Sequence, residues 1–231
     1  MNIELSVVIP TLNEHDNMIP LMESLQKALE GLEWEAIFVD DASSDGTREI
    51  IEDLCRSDQR IQLINRSGRK GLASACLEGM QQCRADFIAV MDADLQHDET
   101  LLRLMLAKTK EDSLDIAIGS RYVQNAHIGP WPATRSWMSR CATGFVRRFL
   151  SRDIKDPLSG FFMIRREYFT GAERMLSGKG QKILLEILLS SPASMRSAEL
   201  PYHFRKRVSG KSKLNLRVIW ENILILCKKR G

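Results

Sequence analysis

Apolar, β-rich runs alternate with helical patterns through the first half of this chain. The runs are Leu5 to Ile9, Glu35 to Val39, Ile61 to Ile64, Phe87 to Met91 and Asp115 to Ile118. Between them, helical spacing is read near Asp16 to Glu30 (closed by Gly31), Thr47 to Arg56, Leu72 to Cys83 and Glu99 to Lys110. Parallel strands need long crossovers, so this rhythm predicts an α/β fold: a mostly parallel central sheet flanked by helices. With 231 residues and 44% hydrophobic content, the chain is expected to bury one core, with a C-terminal appendage.

Ligands collect at the carboxyl ends of strands in such sheets, so the strand tips carry the functional information. After Phe87 to Met91 the chain passes abruptly into Asp92-Ala93-Asp94-Leu95-Gln96-His97. Carboxylates are rarely buried unpaired, and two of them with an amide oxygen suit a hard ion such as Mg²⁺ or Mn²⁺, which could bridge a diphosphate. The same Asp-x-Asp also serves as an ordinary helix start. The first strand ends in Pro10-Thr11-Leu12-Asn13-Glu14 and the second in Asp40-Asp41-Ala42-Ser43-Ser44-Asp45-Gly46-Thr47, and both tips are expected beside Asp92. A carboxylate there can accept hydrogen bonds from a ribose or a base, although Asp45-Gly46-Thr47 is also common turn chemistry. No G-x-G-x-x-G follows a strand, which removes the main support for a dinucleotide-dependent dehydrogenase.

A net charge of only +3 gives no general indication of nucleic-acid binding. Five cysteines without a C-x-x-C pair fit free thiols in a reducing compartment and argue against zinc. The N-terminus lacks a basic segment before its apolar run and reads as a strand, not a signal peptide. No stretch reaches the length of a membrane span. Val218 to Leu226, interrupted by Glu221 and closed by Lys228-Lys229-Arg230, fits an amphipathic helix on an interface or a helix packed on the core. In the second half, Gly129-Pro130-Trp131-Pro132 breaks the rhythm. An Arg-rich helix from about Thr134 to Leu150 follows, then a strand at Phe161 to Ile164, a helix near Gln181 to Ser190 and a strand ending at Phe204.

Together, Val8 to Glu14, Val39 to Thr47 and Met91 to His97 resemble the motifs of family 2 glycosyltransferases of the GT-A fold. Further segments are similar to the polyprenyl-phosphate mannosyltransferase group within that family. They are Gly119-Ser120-Arg121-Tyr122, Trp131-Pro132 with Arg135, Ser139-Arg140, Asp156 to Phe161, Lys182 to Glu186 and Arg207 to Lys213. The resemblance spans Ser6 to Leu214.

It implies a catalytic domain at 1–213, with a nucleotide-binding half to about 122 and an acceptor-binding half at 123–213, followed by an amphipathic tail at 214–231. The implied donor site is Pro10, Leu12, Glu14, Asp40, Asp92, Ala93, Asp94, Lys182, Arg207 and Lys213, with Asp94 and Gln96 as metal ligands. Leu12 stands where relatives carry an aromatic, so it would cover a base by apolar contact without stacking. Arg207 and Lys213, on a loop containing Gly210, would close over the donor phosphates, a fork and a point charge suited to a diphosphate. As a plain solvated basic loop they would instead face anionic lipid headgroups. Arg121, Arg135 and Ser139 would receive the acceptor phosphate, and Asp92, Asp94 and Arg121 carry the implied catalysis. His97 is expected to support or cap the metal loop.

The implied reaction is an inverting transfer of mannose from GDP-mannose to a dolichyl-type monophosphate, dependent on Mg²⁺ or Mn²⁺. A phosphate monoester is largely dianionic at neutral pH and serves as nucleophile without a general base. Two rivals stand beside it: a UDP-sugar-dependent polyprenyl-phosphate glycosyltransferase such as a glucosyl enzyme, and a non-catalytic nucleotide-binding membrane subunit. The expected location is peripheral, on the cytoplasmic side of a membrane. Many relatives append transmembrane helices; this sequence fits a compact docking form using Trp220 to Lys229, a truncated form, or a subunit anchored by a separate membrane protein. Phe145, Phe149 and Leu150 read either as core or as a surface for the polyprenyl tail.

Overall fold

The computed structural model describes residues 3–68, 71–129, 133–150 and 152–206, and only the backbone at 128, 133–136 and 138. Its first half runs β1 (Leu5–Thr11), α1 (Met18–Ala28), β2 (Trp34–Asp40), α2 (Thr47–Ser57), β3 (Ile61–Asn65), α3 (Leu72–Gln82), β4 (Phe87–Val90), α4 (Leu101–Glu111) and β5 (Ile116–Ser120). The second half runs β6 (His127–Ile128), α5 (Ala133–Arg147), β7 (Phe162–Arg165), α6 (Arg166–Ala172), α7 (Ile183–Ser190), β8 (Ser197–Pro201) and β9 (His203–Phe204). One seven-stranded sheet has the order β3-β2-β1-β4-β7-β5-β8, and β6 pairs with β9 beside it. All pairings in the large sheet are parallel except those of β7, which runs antiparallel between β4 and β5. The fold is therefore the mostly parallel α/β architecture expected.

Alternation along β1 sends its side chains to two cores. Leu5, Val7 and Ile9 pack with α1, α2 and α4 on one face, while Val8 packs with α3 and α7 on the other. Helix α3 lies close against the sheet at Gly79, where a Cβ would sit 2.5 Å from Val8 and 2.9 Å from Val39. Pro10 is accommodated inside β1 because pairing with β4 stops at Val8–Val90, so the missing N–H falls where the neighbouring strand has ended. The chain then leaves β1 freely toward the carboxyl edge.

Several boundaries differ from the sequence reading. The first helix begins at Met18, because His15–Asn17 form a 3-10 turn that carries the chain around the β1 tip. The last strand is divided: β8 continues the large sheet beside β5, whereas His203–Phe204 turn aside to pair with His127–Ile128. The seven-residue α6 was not anticipated, being too short for a periodic apolar stripe.

Candidate active site at the carboxyl edge of the sheet

The tips of β2, β1 and β4 lie side by side, with Thr11 in register with Asp40 and the Met91 N–H bonded to the Val8 carbonyl at 3.1 Å. Each tip loop holds a non-glycine residue in left-handed backbone: Asn13 (φ 54°), Ala42 (φ 63°) and Leu95 (φ 60°). For alanine and leucine this costs on the order of 1 kcal/mol, a cost held in place by the surrounding bonds.

At the β2 tip, Asp40 is buried and accepts hydrogen bonds from the Ser43 N–H (2.9 Å) and hydroxyl. Ser43 in turn accepts the Asn13 N–H at 2.9 Å, tying the β1 and β2 loops together. Asp41 is bound by Arg66 (2.7 Å) and by the Gly71 N–H (3.0 Å), so it anchors the start of α3. Glu14 is buried, accepts the Asn17 side chain at 2.7 Å, and donates its backbone N–H to Thr47 at 2.9 Å. Asp40 and Glu14 thus face the edge predicted for a nucleoside, and both also shape their own loops.

The β4 tip is the most constrained. Asp94 Oδ1 accepts the Gln96 N–H at 3.1 Å. Gln96 Nε2 donates to the Arg205 carbonyl at 2.9 Å, which leaves the amide oxygen as the end able to meet a cation. His97 Nδ1 accepts the Asp92 N–H at 3.1 Å, so the ring proton resides on Nε2, 3.7 Å from Asp92 Oδ2. Phe161 stacks on this imidazole at 4.9 Å, with Tyr202 and Phe204 edge-on. Burial in that box pulls the His97 pKa down to about 4, outweighing the pull of Asp94 in the other direction, and the ring stays neutral. His97 is a clamp on the Asp92 backbone, matching the supporting role expected. Behind Asp92, whose side chain is a third exposed, lies Gly160; a Cβ there would sit 2.9 Å from the carboxylate.

Cations face this tip. Arg121 forms a bidentate pair with Asp156 (Nε at 2.7 Å, Nη2 at 2.8 Å), and Asp156 is fully buried and also bonded to the Arg121 N–H. Despite desolvation, Asp156 raises the Arg121 pKa, so the charge is permanent. Its Nη1 has no partner among the described residues, and its guanidinium lies 5.5 Å from the Tyr122 ring and 5.6 Å from Phe204. Tyr122, the residue after Arg121, joins Ser139 of α5 at 2.7 Å. Arg135 lies one turn before Ser139 on the same face of α5; its side chain, like Arg207 and Lys213, is outside the described residues. Lys182 stands at the N-terminus of α7. Burial lowers its pKa, the negative charges of Asp92 and Asp156 oppose that, and it makes no ion pair within 4 Å among the described residues.

Three members of this arrangement escaped the sequence reading as site residues. Asp156 holds Arg121, Gly160 makes room for Asp92, and Tyr202 contributes a buried hydroxyl with no partner among the described residues. The first two sit in a segment the family resemblance had already marked. Burial, with the nearby carboxylates, keeps the Tyr202 phenol neutral despite Arg121.

Among the described residues, no three His, Cys, Asp or Glu side chains form a metal-holding group. Asp94 and Gln96 still fit a hard divalent ion, because Mg²⁺ and Mn²⁺ take few protein oxygens, keep several waters and complete their shell with substrate phosphates.

The mostly parallel sheet with its loops gathered at the carboxyl edge is that of the GT-A fold, and the chain belongs to glycosyl transferase family 2, whose model matches residues 6–171. Among curated proteins it is similar to the dolichol-phosphate mannosyltransferase of Pyrococcus furiosus, 41% identical over 220 residues, covering 94% of this chain and 61% of that protein. The enzyme of the same name from Saccharomyces cerevisiae is 33% identical over 231 residues, covering 95% of this chain and 84% of its own length. This chain thus spans less than two thirds of the archaeal relative. Solved structures share the fold. A mannosyltransferase from Pyrobaculum calidifontis, in complex with GDP-mannose and Mn²⁺, superposes with a TM-score of 0.62 at 15% identity, covering 87% of this chain and 55% of that one. Glucosyl-3-phosphoglycerate synthase from Mycobacterium tuberculosis, bound to Mn²⁺ and UDP, gives 0.71 at 16% identity, covering 98% and 79%.

Proposed function

We propose that this chain transfers mannose from GDP-mannose to a polyprenyl or dolichyl monophosphate, with inversion at the anomeric carbon, at the cytoplasmic surface of a membrane. The observation that carries this reading is the facing of the Asp92 to Gln96 tip by two differently held cations. Lys182, without an ion pair among the described residues, suits a donor phosphate. Arg121, locked by Asp156 along one edge, offers its other edge to an acceptor phosphate. The relatives named dolichol-phosphate mannosyltransferase favour mannose and a lipid phosphate.

Asp94 and Gln96 would hold the divalent ion, whose charge offsets that of the departing diphosphate. Pro10, Leu12, Glu14 and Asp40 bound the nucleoside side of the edge, and Ala93 lies between the two carboxylates beneath the sugar diphosphate. Arg207 and Lys213 would add positive charge for the donor phosphates. On the other side, Arg121, Arg135 and Ser139 orient the acceptor phosphate for in-line attack. One phosphate oxygen forms a bond to the anomeric carbon as the bond to the diphosphate oxygen breaks, and GDP leaves. The acceptor dianion would need no base, and His97 is not placed to act as one, since its basic nitrogen is occupied by the Asp92 N–H.

Calorimetric titration with GDP, UDP, GDP-mannose and UDP-glucose, in Mn²⁺ and again in EDTA, tests the donor half. Metal-dependent binding of the guanine ligands alone is expected. Preference for uridine ligands would move the function to a glucosyl-type transferase, and no binding at all would favour a non-catalytic subunit. An Asp94→Ala chain should keep its fold and lose turnover by about a hundredfold or more; near-normal turnover with metal present would remove Asp94 from the site.

A further inference from the structure

A polar cavity lies at the end of the molecule away from the acid tips. β5 enters the sheet just after Asp115, β8 just after Arg196, and the antiparallel β7 leaves it at Arg165, so these three residues mark the amino edge. Helix α7, which has Lys182 at its start, ends here at Ser190. Between these ends, α6 and the 3-10 turn Glu173–Met175 border a cavity of about 580 Å³, a size that admits a small molecule. Tyr168, Met175 and Pro192 give it an apolar wall, and Arg165 and Arg196 a basic one.

Its polar groups are not balanced within the described residues. Arg152 donates Nη2 to the carbonyls of Ser191 (3.4 Å) and Pro192 on the cavity rim, capping the end of α7. Its Nε and Nη1 are buried without a partner among the described residues, and so is the Tyr168 hydroxyl. Burial lowers the Arg152 pKa, and what opposes it is the nearby Tyr168 phenol, not a carboxylate. Arg165 gives Nε and Nη2 to the Leu114 and Thr109 carbonyls, at 2.7 and 2.9 Å, and forms no ion pair among the described residues. Of the two acids on the lining, Asp115 is bound by Arg196, through its backbone N–H at 2.7 Å and its guanidinium at 3.5 Å, and Glu167 is exposed. Helix capping explains the carbonyl contacts of these arginines. It leaves two buried guanidinium donors and a buried hydroxyl over, and buried polar groups ordinarily meet a partner.

We propose that this cavity binds a small anion with an apolar body, its phosphate or carboxylate group held by Arg152, Tyr168 and Arg165. An oxyanion accepts from the second edge of a guanidinium and from a phenol at once, and it favours positive charge that no carboxylate has already taken. Tyr168, Met175 and Pro192 cover the body of the ligand. The site lies at the opposite edge of the sheet from Asp92 and Arg121 and does not rest on the reaction proposed above.

Titration of the full chain with phenyl phosphate, benzoate and neutral benzamide, followed by amide chemical shifts, tests it. The anions are expected to move amides of residues 165–172 and 190–197, and benzamide to bind about tenfold more weakly or less; the tighter anion identifies the head group. Arg152→Gln should weaken anion binding about tenfold while leaving GDP binding unchanged. Tyr168→Phe separates ligand binding from folding. Loss of an unsatisfied hydroxyl leaves the melting temperature of the free chain equal or higher, whereas anion affinity falls about tenfold. Any binding of phenyl phosphate at the catalytic edge adds shifts there that Arg121→Gln removes, with those at the amino edge kept. Shifts confined to residues 92–97 and 119–122, anion binding that survives Arg152→Gln intact, equal binding of benzamide, or no binding would overturn the inference.

Discussion

At the scale of single residues, the site depends on side chains that hold other side chains. Removing charge from Asp156 leaves the Arg121 guanidinium buried beside a neutral amide. Asp156→Asn should therefore cost on the order of 3 kcal/mol in urea unfolding and depress turnover with lipid phosphate more than donor affinity; unchanged stability would mean the pair is not as buried as described. Tyr202 makes the opposite prediction. Its hydroxyl is buried without a partner among the described residues, so Tyr202→Phe removes an unsatisfied group and should leave the melting temperature equal or higher. If the hydroxyl meets substrate, kcat/KM falls roughly tenfold in the same protein, and full activity would make it a bystander. Gly160→Ala should displace the Asp92 carboxylate and weaken donor binding with little loss of fold. At this scale Asp92, Asp94 and Gln96 were legible as candidates because an apolar strand empties into acids, although the same Asp-x-Asp also reads as a helix start. The roles of Asp156 and Tyr202 were not, since Arg121 lies 35 positions from its carboxylate and neither carries a local periodic signal.

At the scale of elements, strand and helix identities followed from apolar periodicity, and the departures have local causes. Pro10 did not break β1 because β4 is shorter than its neighbour, a fact about the pairing of two strands and not about either sequence. The direction of β7 was equally silent: a run of three buried residues reads the same in both directions. Beneath the sheet, Glu35 on β2 is fully buried and accepts hydrogen bonds from Ser6 (2.6 Å) and Arg84 (2.6 Å). Burial opposes its ionisation, but the bonds from Ser6 and Arg84 outweigh burial and set its pKa below the ordinary 4.5. The sign of the pH dependence follows. Ionised Glu35 stabilises the fold above about that pH, and the contribution is lost as pH falls through the lower folded value. Urea midpoints measured at descending pH should drop less steeply for Glu35→Gln than for the parent chain, from a lower starting stability at neutral pH; parallel curves would contradict the assignment.

At the scale of the whole molecule, one sheet gathers the tips of β1, β2 and β4 and, at the end of β5, Arg121. On the proposed reading, the carboxyl edge of one sheet would serve both donor and acceptor. The α/β class was evident from the alternation of runs, whereas the order β4-β7-β5-β8 required the structure, because β7 is interposed after a long excursion through α5. Among the described residues no helix is long and apolar enough to cross a membrane. Removing the divalent ion with EDTA should abolish transfer and Mn²⁺ should restore it, as the acidic tip requires. The most direct test of the central proposal is a transfer assay with labelled GDP-mannose, Mn²⁺ and polyprenyl phosphate in vesicles. The stereochemistry of the lipid product would be read by NMR. The account predicts release of GDP with formation of a β-linked mannosyl phosphate lipid. An α-linked product, or transfer from UDP-glucose with none from GDP-mannose, would contradict it.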